Sequence, residues 1–265
     1  MYQLEHNIVN ILEDLKQNHH AIGVKTEFGE EAATVEETLR LKMFASRFDM
    51  NCRVKISGCE AIKDIFDAKS VGADSILAPM IESPYAAEKF INSMHSVLSP
   101  ERLQYMKLYI NIETIDGFKN LDRIVETEAF DSIDGIVFGR TDFVKSVGMY
   151  RNYVDSEIVF DYVDKTAKKC ESLGKEFIIG GGVSPKSMPF FKKINQLSQI
   201  ETRKIIFDSQ SLLNDPNAEE CINKAVQFEI FWLQNKQNMF GILSQNDKNR
   251  IEILKTRCNF VNLCK

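Results

Sequence analysis

An α/β protein built on a parallel sheet is the fold class the sequence predicts, and three observations predict it. Short apolar runs rich in Val, Ile and Phe alternate with longer segments in which apolar residues recur every three or four positions, the pattern of βα repetition. The runs are continuous rather than alternating, as strands covered on both faces require. The chain has 265 residues, close to the roughly 250 that one (β/α) barrel needs. Right-handed crossovers lead such repeats either to an open doubly wound sheet or to a closed barrel, and periodicity alone does not choose. Length favours one barrel domain over residues 1–265, with an N-terminal helix and a helical extension from about 213 to 265.

Taken in order, Met1 to Lys16 reads as an amphipathic helix without an apolar run long enough for a signal peptide or a membrane span, so a cytoplasmic protein is expected. The strands predicted are Ala21 to Phe28, Cys52 to Ser57, Ser75 to Met80, Lys107 to Glu113, Gly135 to Gly139, Glu176 to Gly180 and Lys204 to Asp208. An eighth is not evident. Helix starts are marked by capping-box spacing at Thr34 with Glu37 and at Ser57 with Glu60, and by a cap before proline at Ser83-Pro84 and Ser184-Pro185. From Pro84, the residues Ala87, Phe90, Ile91, Met94 and Leu98 form one apolar stripe, and Gly174 sits where a helix should end. Beyond Leu212 the chain reads as helices; the apolar set Ala225, Phe228, Phe231, Trp232 and Leu233 is expected either under the barrel or against another subunit of a homo-oligomer.

Hydrophobic residues make up 44% and charged residues 27%, with a mean hydropathy of -0.22, a globular balance with material for a large core and no membrane-dominated chain. A net charge of -5 argues against nucleic acid, which needs a concentrated basic surface. Small molecules are the expected partners. The six cysteines (Cys52, Cys59, Cys170, Cys221, Cys258, Cys264) contain no C-x-x-C pair, so reduced thiols are expected and a zinc site has little support.

Polar residues of one parity interrupt three of the apolar strands. Lys25 and Glu27 alternate with Val24 and Thr26, Arg53 and Lys55 with Val54 and Ile56, and Asn111 and Glu113 with Ile110 and Ile112. Side chains two apart share a face of a strand, and inward charge is costly unless paired or ligated. Convergence on one site at the C-terminal end of a barrel is the economical reading; static ion pairs or solvent-facing pairs are the alternative. Glu113 and Asp142, each following a strand, suit a hard divalent ion such as Mg²⁺ or Mn²⁺. The competing reading makes Asp142, or Thr141 beside it, a helix cap and Glu113 part of a turn. Gly180-Gly181-Gly182-Val183-Ser184-Pro185-Lys186 reads as a tight βα turn, with a phosphate cradle as the alternative.

Four blocks between about residues 50 and 150 carry a family resemblance. They are Arg53 followed by Ile62-Lys63 and the helix to Gly72; Ile76-Leu77-Ala78-Pro79-Met80-Ile81-Glu82-Ser83; Asn111-Ile112-Glu113-Thr114 with Gly117 and Asn120-Leu121; and Asp134-Gly135-Ile136-Val137-Phe138-Gly139-Arg140-Thr141-Asp142-Phe143 with Gly148. On these the sequence resembles the HpcH/HpaI aldolase and citrate lyase β-subunit family, a pyruvate/phosphoenolpyruvate-type barrel. The resemblance implies a (β/α)8 TIM-type barrel with an atypical or missing first strand plus C-terminal helices. It also implies a metal-dependent carbon–carbon lyase of the aldolase type, in which Glu113 and Asp142 hold Mg²⁺ or Mn²⁺ and the ion binds a pyruvate-like 2-oxo acid. Arg53 would stand beside the keto oxygen and Asn111 would bind substrate or water. A cation and a guanidinium would stabilise the enolate left by bond cleavage, and backbone N–H groups around Thr141 and Asp142 could hold the substrate carboxylate. The second partner would be an aldehyde or an acyl group.

The histidine that family aldolases often carry after an early strand has no counterpart in Thr26-Glu27-Phe28-Gly29-Glu30-Glu31. His6, His19, His20 and His95 read as structural or exposed, which leaves Glu27 as the candidate base, tuned by Lys25 or Lys55. Arg140 replaces a residue that is small or apolar in the relatives and is read as meeting an anionic substrate arm. Other readings stay open: Lys25 or Lys55 as a Schiff-base nucleophile, a lyase acting on an acyl-CoA, and a non-catalytic barrel serving as a binding or assembly subunit.

Overall fold

The computed structural model describes residues 3–240 and 245–257. Its strands are β1 (Ala21–Glu27), β2 (Asn51–Lys55), β3 (Ser75–Ala78), β4 (Lys107–Ile112), β5 (Gly135–Gly139), β6 (Glu176–Gly180), β7 (Leu197–Glu201) and β8 (Ile205–Asp208), closed into a barrel in sequence order. Neighbours from β1 to β7 are parallel. β8 runs against both β7 and β1. A parallel return needs a crossover of a dozen or more residues, whereas only Thr202, Arg203 and Lys204 separate β7 from β8. Thr202 locks the reversal: its N–H donates to the Ile205 carbonyl at 2.8 Å, and its Oγ1 accepts from the Ile205 N–H at 3.0 Å.

The eighth strand that the sequence conceals is therefore β7, and the run Lys204 to Asp208 does not continue the βα rhythm but returns as a hairpin. Where the resemblance leaves the barrel short of a first strand, β8 closes the gap between β7 and β1. The other expected strands form where the sequence places them.

Thr34 makes both hydrogen bonds of the expected capping box at the start of α2 (Val35–Ser46), after α1 (Gln3–Asn18). Ser57 and Glu60 do not form one. Helix α3 (Ile62–Ser70) begins after an uncapped Ala61, and Ser57 instead gives its N–H and hydroxyl to the Asp64 carboxylate at 2.7 and 2.6 Å. Ser83 caps α4 (Pro84–Val97), whose apolar stripe is buried as expected. Ser184-Pro185 opens only a single 3₁₀ turn, without a side-chain cap. Gly174, at φ +64°, ends the helix Glu157–Ser172 in the left-handed conformation that glycine adopts without penalty.

Strand parity divides the core into two shells. Ile76, Ile110, Ile136, Phe138, Phe177 and Ile179 pack outward with the helices in one large cluster. Leu77, Tyr109, Val137 and Ile178, of the opposite parity, form a separate apolar plug inside the barrel. The rest of the interior is largely polar, with Lys25 and Glu27 from β1, Arg53 and Lys55 from β2, Asn111 and Glu113 from β4 and its end, and Gln199 and Glu201 from β7.

The helix Ala218–Phe240, 23 residues and about 35 Å long, packs on α1 and climbs from the N-terminal pole of the barrel to its C-terminal mouth. Of the expected apolar set, Ala225, Phe228 and Trp232 are buried in the main core with Phe231 half-buried against it, while Leu233 packs with Leu254 of the C-terminal helix in a separate cluster. The helix Gln245–Arg257 folds back so that Arg250 grips Glu229 with two hydrogen bonds of 2.6 and 2.8 Å. No helix among the described residues is long and apolar enough to cross a membrane.

Candidate active site

A cavity of about 340 Å³ opens at the C-terminal mouth of the barrel. Lys25 and Glu27 reach it from β1, Lys55 from β2, Asn111 and Glu113 from β4, Thr141 and Asp142 from the start of the helix Arg140–Ser146, and Glu201 from β7. Five of the six residues of anomalous parity thus meet in one place. Arg53, the sixth, does not.

Arg53 faces inward, but lower in the barrel. It is 3% exposed, its guanidinium donates to Glu201 at 2.9 Å, Gln199 at 2.8 Å and Ser75 at 3.3 Å, and it lies 4.2 Å over the Tyr109 ring. It borders a second, smaller cavity at the N-terminal end. With every arm engaged, it is not placed to meet a keto oxygen at the mouth. The register that pairs Arg53 with Lys25 pairs Lys55 with Glu27, so the cation two residues later occupies the position expected of Arg53.

Lys55 is held 3.3 Å from Glu113 and 3.6 Å from Glu27. Burial alone would lower its pKa, but the charges of Glu113, Glu27 and Asp142 outweigh that effect and push it up to about 12. Lys25 is ion-paired to Glu201.

Glu113 is 3% exposed and is held from three sides. Lys55 supplies one contact, the Asn111 side-chain amide donates to Oε2 at 2.5 Å, and the Met80 N–H donates to Oε1 at 3.0 Å. Met80 has φ +53°, unusual for a non-glycine residue, and the distortion presents its N–H to the carboxylate. Desolvation nevertheless leaves the Glu113 carboxyl above its ordinary pKa, and the nearby Asp142 charge adds to the rise. Glu113 and Asp142 both line the cavity. Asp142 also pairs with Lys145 at 2.9 Å.

Gly139 makes room for this arrangement. A Cβ there would stand 2.7 Å from the Glu113 Cβ and 3.0 Å from its Oε2, so Gly139→Ala is expected to destabilise the protein by about 1–3 kcal/mol through overpacking. A denaturant midpoint measured with and without metal checks this, and an unchanged midpoint would contradict it. Gly181, at φ +75°, lies so close to the helix start that a Cβ would come within 2.6 Å of the Thr141 nitrogen. The glycine run is thus at least a close-packed βα turn.

Arg140 lies outside the cavity. It is fully buried, donates to the Gly180 and Val154 carbonyls, pairs with Asp155, and packs over Phe190 and Phe191 at 5.1 and 4.7 Å. Desolvation lowers its pKa to about 10 against the pull of Asp155. Its task is to fasten the barrel wall, so the expected anionic-arm contact falls elsewhere.

Arg151 is the residue that sequence inspection misses. It lines the cavity, its Nε is buried without a hydrogen-bond partner among the described residues, and burial together with Arg250 and Arg203 lowers its pKa. It sits in a turn with no periodic pattern, so only its spatial company of cations distinguishes it. Arg203, by contrast, is neutralised by Glu31, which also binds Lys204.

The donors at the mouth fit a divalent cation. Glu113 and Asp142 offer hard carboxylate oxygens, and Asn111, which lines the same cavity, keeps a buried Oδ1 without any hydrogen-bond partner among the described residues.

A closed barrel whose charged residues gather at the C-terminal mouth is the layout of an α/β-barrel enzyme. The model of the HpcH/HpaI aldolase/citrate lyase family matches residues 23–176; the chain belongs to this family. The match ends as β6 begins, so the β7–β8 hairpin and the C-terminal helices lie beyond it.

Similar solved structures include an HpcH/HpaI aldolase from Desulfitobacterium hafniense DCB-2, with 13% identity, TM-score 0.60 and coverage of 76% of this chain and 82% of that one. An HpcH/HpaI aldolase/citrate lyase family protein from Burkholderia cenocepacia J2315 has 15% identity, TM-score 0.57 and coverage of 73% and 82%. The citrate synthase SbnG has 17% identity, TM-score 0.55 and coverage of 72% and 80%. At these identities the likeness is one of fold. No curated protein matches the chain.

Proposed function

We propose that the protein is a divalent-metal-dependent carbon–carbon lyase that cleaves or forms the bond adjacent to a pyruvate-like 2-oxo acid. One observation carries the reading: two carboxylates from separate strand ends, Glu113 and Asp142, share a cavity with the unpartnered Oδ1 of Asn111. A bound Mg²⁺ or Mn²⁺ would supply Lewis-acid polarisation of the keto oxygen.

The chain's own residues do the rest. Lys55, protonated throughout the neutral range, stabilises negative charge developing on the substrate, the part first expected of Arg53. Glu27, 3.6 Å from the Lys55 ammonium, moves the proton between substrate and solvent, replacing the absent histidine. Thr141 at the helix start orients the substrate carboxylate. Arg151, whose Nε has no partner among the described residues, receives an anionic group on the second substrate.

The Schiff-base alternative is less well supported. A lysine held near pKa 12 is a poor amine nucleophile at neutral pH, and Lys25 is tied to Glu201. Activity toward a 4-hydroxy-2-oxo acid that is lost with EDTA and restored by Mg²⁺ or Mn²⁺ supports the metal reading. Borohydride trapping of a lysine adduct would replace it with the Schiff base, and the absence of metal-dependent binding of pyruvate or oxalate would favour a non-catalytic barrel. Since one structural relative is a citrate synthase by name, condensation is to be assayed beside cleavage, with acyl thioesters as well as aldehydes.

Arg151→Gln is expected to raise KM for an anionic co-substrate about 10- to 100-fold, the worth of one hydrogen bond to a charged group, with a smaller change for a neutral aldehyde. Equal changes for both would remove Arg151 from substrate recognition.

A further inference from the structure

A second group of ligand-type side chains lies at the opposite pole of the barrel. His19 and His20 occupy the turn between α1 and β1; Asp215 precedes the helix Ala218–Phe240, and Cys221 lies in its first turn. One ligand atom each from His20, Asp215 and Cys221 falls within 4.8 Å of the others. His20 Nε2 is 2.8 Å from Asp215 Oδ2, Cys221 Sγ is 3.7 Å from that oxygen, and His19 Nδ1 is 3.4 Å from the sulfur. Donors bound to a tetrahedral ion at 2.0–2.3 Å stand roughly 3.3–3.7 Å apart. The Cys221–Asp215 contact already has that spacing, and the His20–Asp215 hydrogen bond has only to open by about half an ångström.

We propose that His20, Asp215 and Cys221 form a structural site for a borderline divalent ion of the Zn²⁺ class, with water completing the tetrahedron, tying the α1–β1 turn to the C-terminal helix. His19 backs the sulfur from outside the cluster: its Nδ1 is 3.4 Å from Cys221 Sγ, its other ring nitrogen faces the Asp14 carboxylate at 3.5 Å, and Asp14 is fixed by Lys224 at 2.8 Å and Asn18 at 2.9 Å. Partners of this kind hold a ligating sulfur in place. His20 holds a left-handed backbone at φ +60°, a conformation that costs a non-glycine residue stability. The mixed nitrogen, sulfur and oxygen donors select zinc or cobalt over magnesium, which distinguishes this site from the all-oxygen mouth. Cys221 is buried, and burial with Asp215 nearby holds its thiol up to about 12. Binding therefore forms the metal–sulfur bond as the thiol proton is released to solvent. The ion would close a chain loop spanning 195 residues between His20 and Asp215, so its contribution is to stability.

The test is a Co²⁺ titration of the full-length, metal-stripped protein. The expected result is a near-ultraviolet thiolate-to-cobalt charge-transfer band with tetrahedral visible absorption, saturating at one equivalent, and a melting temperature raised by several degrees with Zn²⁺. The band should vanish in Cys221→Ser, persist in Cys59→Ser, and persist in the Glu113→Gln/Asp142→Asn double variant, which separates this site from the mouth. If Cys221→Ser does not fold, His20→Gln gives the reading: at least tenfold weaker Co²⁺ binding supports the site and unchanged affinity overturns it. No thiolate band at tenfold excess of Co²⁺, or a band that survives Cys221→Ser, also overturns it.

Discussion

Replacing Glu113 with glutamine is expected to lower kcat/KM by about 10³-fold, or roughly 4 kcal/mol of transition-state stabilisation, while leaving the fold intact. The two effects part company because of where the carboxylate sits. Glu113 is nearly inaccessible and desolvation raises its pKa even with Lys55 beside it, so its ionised form costs stability at neutral pH. A neutral amide keeps the shape and removes that cost, but it also removes a hard anionic ligand. Steady-state kinetics with saturating Mn²⁺ and a thermal melt of the same preparation read both quantities. Lost activity with an unchanged or higher melting temperature is the expected pair; retained activity would exclude Glu113 from the chemistry.

Glu201→Gln should do the reverse and destabilise the protein by about 3–5 kcal/mol, the usual result of removing one partner from a buried ion pair. Glu201 is 1% exposed and binds both Lys25 and Arg53, which the amide would leave buried without a counter-charge. Burial alone would raise the Glu201 carboxyl, but Lys25 and Arg53 more than offset it and hold the group below its ordinary value of 4.5. Glu31 behaves in the same way against Lys204 and Arg203. A carboxylate with a depressed folded-state pKa lends stability that is complete above its unfolded value and disappears as pH falls through the folded one. Wild-type stability should therefore decline with acid from about pH 4.5 downward, and Glu201→Gln should show a shallower decline from a lower plateau. Urea midpoints across pH 3 to 7 would check this, and parallel curves would contradict it.

The two buried carboxylates mark different parts of the barrel. Glu201 stands between the mouth cavity, which it lines with Lys25, and the deeper Arg53, and it is paired with both cations. Glu113 shares a cation with Glu27 at the upper end, where charge is less completely balanced and a ligand can compete for it.

Parity was the most informative signal in the sequence. It located Lys25, Glu27, Lys55, Asn111 and Glu113 because an inward polar residue in a continuous apolar strand has few cheap solutions. Leu197-Ser198-Gln199-Ile200-Glu201 carries the same signal, but its inward positions are Gln199 and Glu201 and it feeds a hairpin instead of a helix, so neither apolar continuity nor βα rhythm marks it as a strand. Strand parity names both Arg53 and Lys55 as candidates and gives their direction, not their depth. Both face inward, but strand pairing fixes height, and Lys55 lies opposite Glu27.

Other features were beyond any local reading. Arg140 looked like a substrate contact because its type departed from its relatives, yet its position behind Phe190 and Phe191 is decided by tertiary packing. The clustering of His20 with Asp215 and Cys221 depends on two chain turns far apart in sequence, which is why counting cysteine spacings gave no sign of it.

Crystals grown with Mn²⁺ and oxalate, with anomalous data collected at the manganese edge, test the central claim most directly. The account predicts one anomalous peak about 2.0–2.2 Å from oxygens of both Glu113 and Asp142, with oxalate chelating the same ion and facing Lys55. A peak bound to only one of these carboxylates, or oxalate held without the ion, would contradict it.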